Sequence, residues 1–324
     1  LEGGILRTLR ASSPFARGQG GCPEPVQNMA EDELQEVRDN FYVGNFQKAL
    51  QLCESVQASN DIAQNELNAT LGRCCLAIPV IDRLKAMQTS ECPGQQAAAM
   101  MAVILKSKNE QQRAAFKEKL TALAESSHDL SCALLAAISL SMDGSWNEAV
   151  QLAKAHPTVE MQALRVFLCL SCNQISMAEK ALSEMAGSNN DSAAFRLATA
   201  AVKLATGDPE EAYLTYCDLS SQFPAGDRDS ESGSVLLQTG KALSNMQRGM
   251  FAEAVEDLQR AIAVAPNDPD VLVNLCACST HLGKKEDFQQ YYTTLEKVCP
   301  SHPYVAKTQS INTAFTRFKA SLTA

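Results

Sequence analysis

The side chains that could do chemistry in this chain are its thiols and imidazoles, and their spacing limits what they can do. Among twelve cysteines, Cys169-Leu-Ser-Cys172 is the one CxxC pair. That spacing can supply half of a tetrahedral zinc site or a redox dithiol. A zinc site needs a second Cys or His pair, yet His156 lies just before this segment and the next histidine is His281. A redox pair belongs beside a βαβ unit, and no run of β-branched residues bounded by turns is present. Cys74-Cys75 and Cys276-Ala-Cys278 stand in apolar surroundings, where free cysteine behaves as a small hydrophobe. The histidines His128, His156, His281 and His302 are scattered, and two of them (His156, His302) precede proline at expected helix ends. No spacing supports a Ser-His-Asp or Cys-His nucleophile, and the glycines from Gly18 to Gly21 open no helix that could cradle phosphate. Asn68-Ala-Thr70 fits the glycosylation pattern, but thiols dispersed along helical segments point to a reducing compartment where it would stay unmodified. The expectation is a non-enzymatic protein with no metal and no cofactor.

What remains is the scaffold that carries these residues, and it is periodic. Gly249 and Gly283 are 34 residues apart, as are Pro266 and Pro300, and each proline follows its glycine by 17. A period of 34 with this punctuation is the signature of tetratricopeptide repeats, helical hairpins that stack into a solenoid. The glycines mark the bend inside each hairpin, where positive φ is needed, and the prolines stop the second helix. Ala254, Leu258 and Ala261 recur at i, i+4 and i+7 on one helix face. The same frame runs back through Gly207, Ala212 and Pro224, then Asn173, then Gly144, and reappears at Gly44 with Phe46 and Ala49. Asn109 is assigned a bend of the same kind, since asparagine tolerates positive φ. The pair from Asn65 to Thr89 is poorer and breaks near Ile78-Pro79. Residues 225–234 form a polar, glycine-rich insertion that lengthens one period from 34 to 42.

The fold class is therefore all-α, an α-solenoid of about seven or eight hairpins, with a terminal helix over Tyr304–Leu322 expected to cap it. Residues 29–324 read as one superhelical domain. Residues 1–28, with Pro14, Pro23, Pro25, Arg7, Arg10 and Arg17, read as a non-globular extension outside the fold, the alternative being an organelle transit segment. The longest uncharged run, Cys92 to Leu105, has 14 residues, short of the roughly 20 that a membrane-spanning helix needs. A net charge of −9 repels nucleic acid and gives no attraction to anionic lipid.

Binding is then the function class left, and the concave face of the solenoid is the candidate site. The first helix of each hairpin lines that face. Its inward positions are expected to be Ala163, Phe167 and Leu170, then Leu197, Ala201 and Leu204, then Thr239, Leu243 and Met246, then Val273, Ala277 and Thr280. This row is mostly apolar. Wherever neighbouring hairpins leave it open, a partner must cover it.

Several segments carry more than the repeat requires: Asp32-Glu-Leu34 with Asn40-Phe-Tyr-Val-Gly-Asn-Phe-Gln-Lys-Ala-Leu50, Arg196-Leu-Ala-Thr-Ala-Ala-Val-Lys-Leu-Ala-Thr-Gly207, Glu211-Ala-Tyr213, Asp270-Val-Leu-Val-Asn-Leu275, Thr280-His-Leu-Gly-Lys284 and Ser301-His-Pro303. Together they resemble the epsilon subunit family of coatomer. The resemblance implies a non-enzymatic subunit of the coat of retrograde Golgi-to-endoplasmic-reticulum and intra-Golgi vesicles. It implies a cytoplasmic protein, peripheral on Golgi membranes through the assembled coat, whose solenoid clamps the C-terminal region of the coatomer alpha subunit. The alternative is a free-standing adaptor that holds a peptide segment. Such adaptors present Lys, Arg and Asn where this chain has Ala163, Phe167, Leu197, Ala201 and Leu243.

Overall fold

The structure, a computed structural model, describes residues 33–127, 129–186, 191–224 and 234–323. The extension over residues 1–28, most of the polar insertion and His128 lie outside them. Among the described residues there are seventeen α-helices and no strand. They pair in chain order. The first pair is α1 (Gln35–Tyr42) with α2 (Phe46–Ser55). α3 (Asp61–Ala77) follows with short α4 (Ile81–Ala86) and a 3-10 turn, Met87–Thr89. Next come α5 (Pro93–Lys106) with α6 (Glu110–Ser126), and α7 (Leu130–Met142) with α8 (Trp146–Ala155). Then come α9 (Val159–Ser171) with α10 (Ile175–Met185), and α11 (Ala193–Thr206) with α12 (Pro209–Gln222). α13 (Val235–Gln247) pairs with α14 (Phe251–Val264), and α15 (Pro269–His281) with α16 (Lys285–Val298). α17 (Pro303–Thr323) is single.

The local sequence accounts for the helix ends. Asn60, Asp129, Thr158, Ser192 and Asp268 are N-caps whose side-chain oxygens accept from first-turn amides, meeting donors that would otherwise be orphaned. Pro93, Pro209 and Pro269 occupy first helical positions, where a missing amide hydrogen costs nothing. The bends repeat one geometry. Gly44, Gly144, Gly207, Gly249, Gly283 and Asn173 all have positive φ. In each case the following amide donates back five residues, from Asn45, Ser145, Asp208, Met250, Lys284 and Gln174 to Asn40, Leu140, Lys203, Asn245, Ser279 and Cys169, at 2.8–3.1 Å. This is the Schellman closure that satisfies the last carbonyls of a helix. Pro224, Pro266 and Pro300 directly follow the C-caps Phe223, Ala265 and Cys299.

Two expectations are corrected. Asn109 has φ −88° and is the N-cap of α6, its Oδ1 accepting from Gln111 and Gln112 amides. An Asx side chain that caps does the work there, and no left-handed bend is needed. α17 packs through its first turns, where buried Val305 meets Leu272, Cys276 and Leu295. From Gln309 to Ser321 every residue is exposed, so the helix stands away from the solenoid end that it was expected to cap.

Packing between hairpins follows the small-residue positions. Ala149, Ala178, Ala212 and Ala254 on the second helices are fully buried, which lets each lie close on its neighbour. The chain does not remain an open superhelix. The α1–α2 bend reaches across to α11 and α13, placing Val43 in one buried cluster with Leu197, Tyr216 and Leu236. Three polar contacts fasten this closure. The Ala193 amide donates to Asp39 Oδ1 at 3.1 Å, Asn45 Nδ2 donates to the Phe223 carbonyl at 3.1 Å, and the Ser234 hydroxyl donates to the Val43 carbonyl.

Candidate partner-binding surface

Burial divides the predicted concave row into core residues and half-buried ones. Ala163, Phe167 and Leu197 are only 4%, 5% and 1% exposed. They are core residues and cannot line an open groove. The reason is intramolecular: Tyr42 packs against the apolar clusters of α9 and α11, and Val43 sits with Leu197. Leu170 and Ala201 pack at the edge of the same material, as does Leu204 with Leu197 and Tyr216. The first hairpin thus takes the place that sequence reasoning left for a partner.

The covered region is also a charged centre. Arg73 of α3 makes a two-pronged ion pair with Glu160 of α9, both nearly buried. The Arg73 guanidinium lies 4.4 Å from the centre of the Phe41 ring. Burial and the Glu160 carboxylate push the Tyr42 hydroxyl well above its usual range, so it stays neutral. Burial likewise raises Asp39, against the opposing hydrogen bonds from Gln35 and the Ala193 amide. A paired guanidinium and carboxylate with an aromatic lid form a structural joint, since a buried charge is tolerated only when paired. Sequence reasoning missed Arg73, Glu160, Asp39 and Asn45. The available signal was a charged or amide residue on a helix face otherwise filled by Leu, Ala and Cys.

The rest of the row lies on α13 and α15. Thr239, Leu243 and Met246 are half-buried there, as are Val273 and Ala277, and Thr280 is exposed. Met246 and Val273 pack at the edges of the C-terminal cores. Thr239 and Thr280 donate to the carbonyls of Val235 and Cys276, at 2.7 and 2.8 Å, so both hydroxyls are paired within their own helices. Leu243 and Ala277 are the half-buried apolar residues between them in the predicted row.

The chemistry-bearing residues have structural places. Cys169 is buried and Cys172 half-buried, and burial raises both thiols. Burial pushes Cys132 and Cys276 up to about 12 and Cys278 to about 11, so these thiols hold almost no thiolate at neutral pH. His281 stacks on Phe251 at 4.1 Å between ring centres, tying α14 to α15. His302 Nδ1 accepts from the Tyr304 amide at the start of α17. Among the described residues no three His, Cys, Asp or Glu side chains converge to hold a metal ion, and no helix is long and apolar enough to cross a membrane.

The comparisons agree with this architecture. A structure of the APC/C hetero-tetramer Cut9–Hcn1 superposes with a TM-score of 0.58 at 10% identity, over 84% of this chain and 52% of that one. The human IFIT1 dimer superposes at 0.51 with 15% identity, over 98% and 81%. At these identities the likeness concerns the helical-repeat fold alone. Coatomer subunit epsilon-2 of Arabidopsis thaliana is 29% identical over 296 residues, 88% of this chain and 95% of its own length. Coatomer subunit epsilon of Caenorhabditis elegans is 23% identical over 286 residues, 85% and 93%. The model of the coatomer epsilon subunit family matches residues 30–323. With a match spanning every described hairpin, the chain belongs to the coatomer epsilon subunit family.

Proposed function

We propose that this chain acts as a non-enzymatic clamp within the coatomer coat, holding the C-terminal region of the alpha subunit on its concave face. Through the assembled coat it serves retrograde Golgi-to-endoplasmic-reticulum and intra-Golgi transport, meeting Golgi membranes only as part of that complex. The observation that carries the reading is the half-buried pair Leu243 and Ala277 on α13 and α15, predicted concave positions that belong to neither of the neighbouring C-terminal core clusters. An apolar strip with satisfied backbone and hydroxyl groups binds by area and shape, which suits a segment of a permanent partner better than a charged peptide tail.

Leu243→Asp tests it. Placing a charge in the strip should lower affinity for the purified C-terminal region of the alpha subunit by tenfold or more, while helical content stays unchanged. Phe167→Asp is not an equivalent probe, because Phe167 is core and its loss damages the fold. Normal binding by Leu243→Asp would place the partner elsewhere. Elution of the endogenous protein near its own mass, instead of in a large complex, would favour a free-standing adaptor.

A further inference from the structure

α17 carries a row of exposed large apolar side chains. Ile311, Phe315 and Phe318 are 67%, 69% and 60% exposed and, at i, i+4 and i+7, share one helix face. All thirteen residues of Gln309–Ser321 are exposed, and Gln309 is held at the near end by a hydrogen bond to Glu296 of α16. An exposed helical stretch of that length, with Thr313 and Thr316 in it, is marginal in water. Something must cover this face for it to persist.

The chemistry narrows what that is. α17 contains Lys307, Arg317 and Lys319 and no acid, on a chain whose net charge is −9. A second α17 would bring like charges together. A lipid surface calls for a polar face dense in Lys and Arg, whereas Gln309, Asn312, Thr313 and Thr316 are neutral. A protein groove rimmed by carboxylates satisfies both the stripe and the charges. α17 is rooted through Val305 on Leu272 and Cys276 of α15, the helix that carries Ala277 and Thr280. The predicted strip and the root of α17 therefore share one helix.

We propose that Ile311, Phe315 and Phe318 dock into an apolar, acid-rimmed groove on the same partner chain that occupies the concave strip. This rests on the function proposed above. The partner is held at two points, one inside the solenoid and one on the projecting helix, and each raises the effective concentration at the other.

The probe is the purified C-terminal region of the alpha subunit, titrated against the full chain. Phe315→Asp with Phe318→Asp should cut affinity at least tenfold with helical content intact, since both side chains are exposed. Lys307→Glu with Arg317→Glu should weaken binding and flatten its salt dependence. Wild-type affinity in the Phe315/Phe318 variant, alongside loss in Leu243→Asp, overturns the second docking point and leaves the clamp standing. Absence of binding by the wild-type chain sinks both. Two further results would overturn the proposal by assigning the stripe to another occupant. One is co-sedimentation of the wild type, but not the variant, with phosphatidylserine–phosphatidylcholine vesicles. The other is a wild-type dimer by light scattering that the variant abolishes.

Discussion

Gly44 and Gly207 share a backbone conformation, φ +85° and +86°, but differ in what surrounds them. A Cβ on Gly207 would meet nothing within 4 Å, so Gly207→Ala should cost only the left-handed strain, about 1 kcal/mol. A Cβ on Gly44 would lie 2.8 Å from Ser234 Oγ and 3.2 Å from Leu236 Cβ. Gly44→Ala should therefore cost roughly 2–4 kcal/mol, strain plus overpacking. Urea denaturation of the two variants compares them, and equal losses would mean that α13 does not press on the bend. The bend role of both glycines can be read from the 34-residue frame. The second role of Gly44 cannot, because Ser234 is nearly two hundred residues away along the chain. Arg73 and Glu160 are a similar case. Glu160→Gln should destabilise by about 3–5 kcal/mol by stranding a buried guanidinium, while replacing both with Met should recover most of that loss in thermal unfolding.

At the scale of elements, the helices and their bends follow from local signals that a single sequence contains: caps, positive-φ residues, terminal prolines and apolar periodicity. α17 shows where such signals stop. Its periodicity makes a helix, but periodicity alone does not say whether the apolar face packs on its own chain or on another. Its docking also depends on pH. Burial pulls the His302 imidazole below the usual histidine range, partly offset by the Asp270 carboxylate. The unfolded chain therefore takes up this proton at higher pH than the folded one. The stability that neutral His302 contributes is complete above the ordinary histidine pKa and is lost as pH falls below about 6.5. Protonation also removes the Nδ1 lone pair that accepts from the Tyr304 amide. Hydrogen exchange in the first turn of α17 should quicken between pH 7.5 and 5.5 after correction for intrinsic rates. His302→Asn, a cap that does not titrate, should abolish the change.

At the scale of the whole molecule, the solenoid is a closed object in which α1 has two sets of neighbours. Repeat arrays usually couple only adjacent units. Here Val43→Asp should loosen the starts of α11 and α13, seen as faster amide exchange around Ala193 and Ser234, with α14 to α16 unchanged. Exchange confined to the first hairpin would show that the closure carries no coupling. Tyr216 Oη and Asn45 Oδ1, both at the closure, and Gln238 Oε1 on α13 are buried with no hydrogen-bond partner among the described residues. Each unmet group subtracts from the stability of the packing around it. The hairpin count was within reach of sequence, because each hairpin is encoded locally. The curvature was not, because it accumulates from small rotations that leave no periodic mark. For the same reason the concave row fails at Phe167 and Leu197, which are covered by a hairpin more than a hundred residues upstream. Closure also sets an order in time. Ser234 and Val43 are 191 positions apart, and a ribosome adding about 5–20 residues per second needs roughly 10–40 s to span them. The packing of Val43 against Leu236 and its bond from Ser234 must wait for that interval, so the α1–α2 hairpin is completed only after α13 has been made.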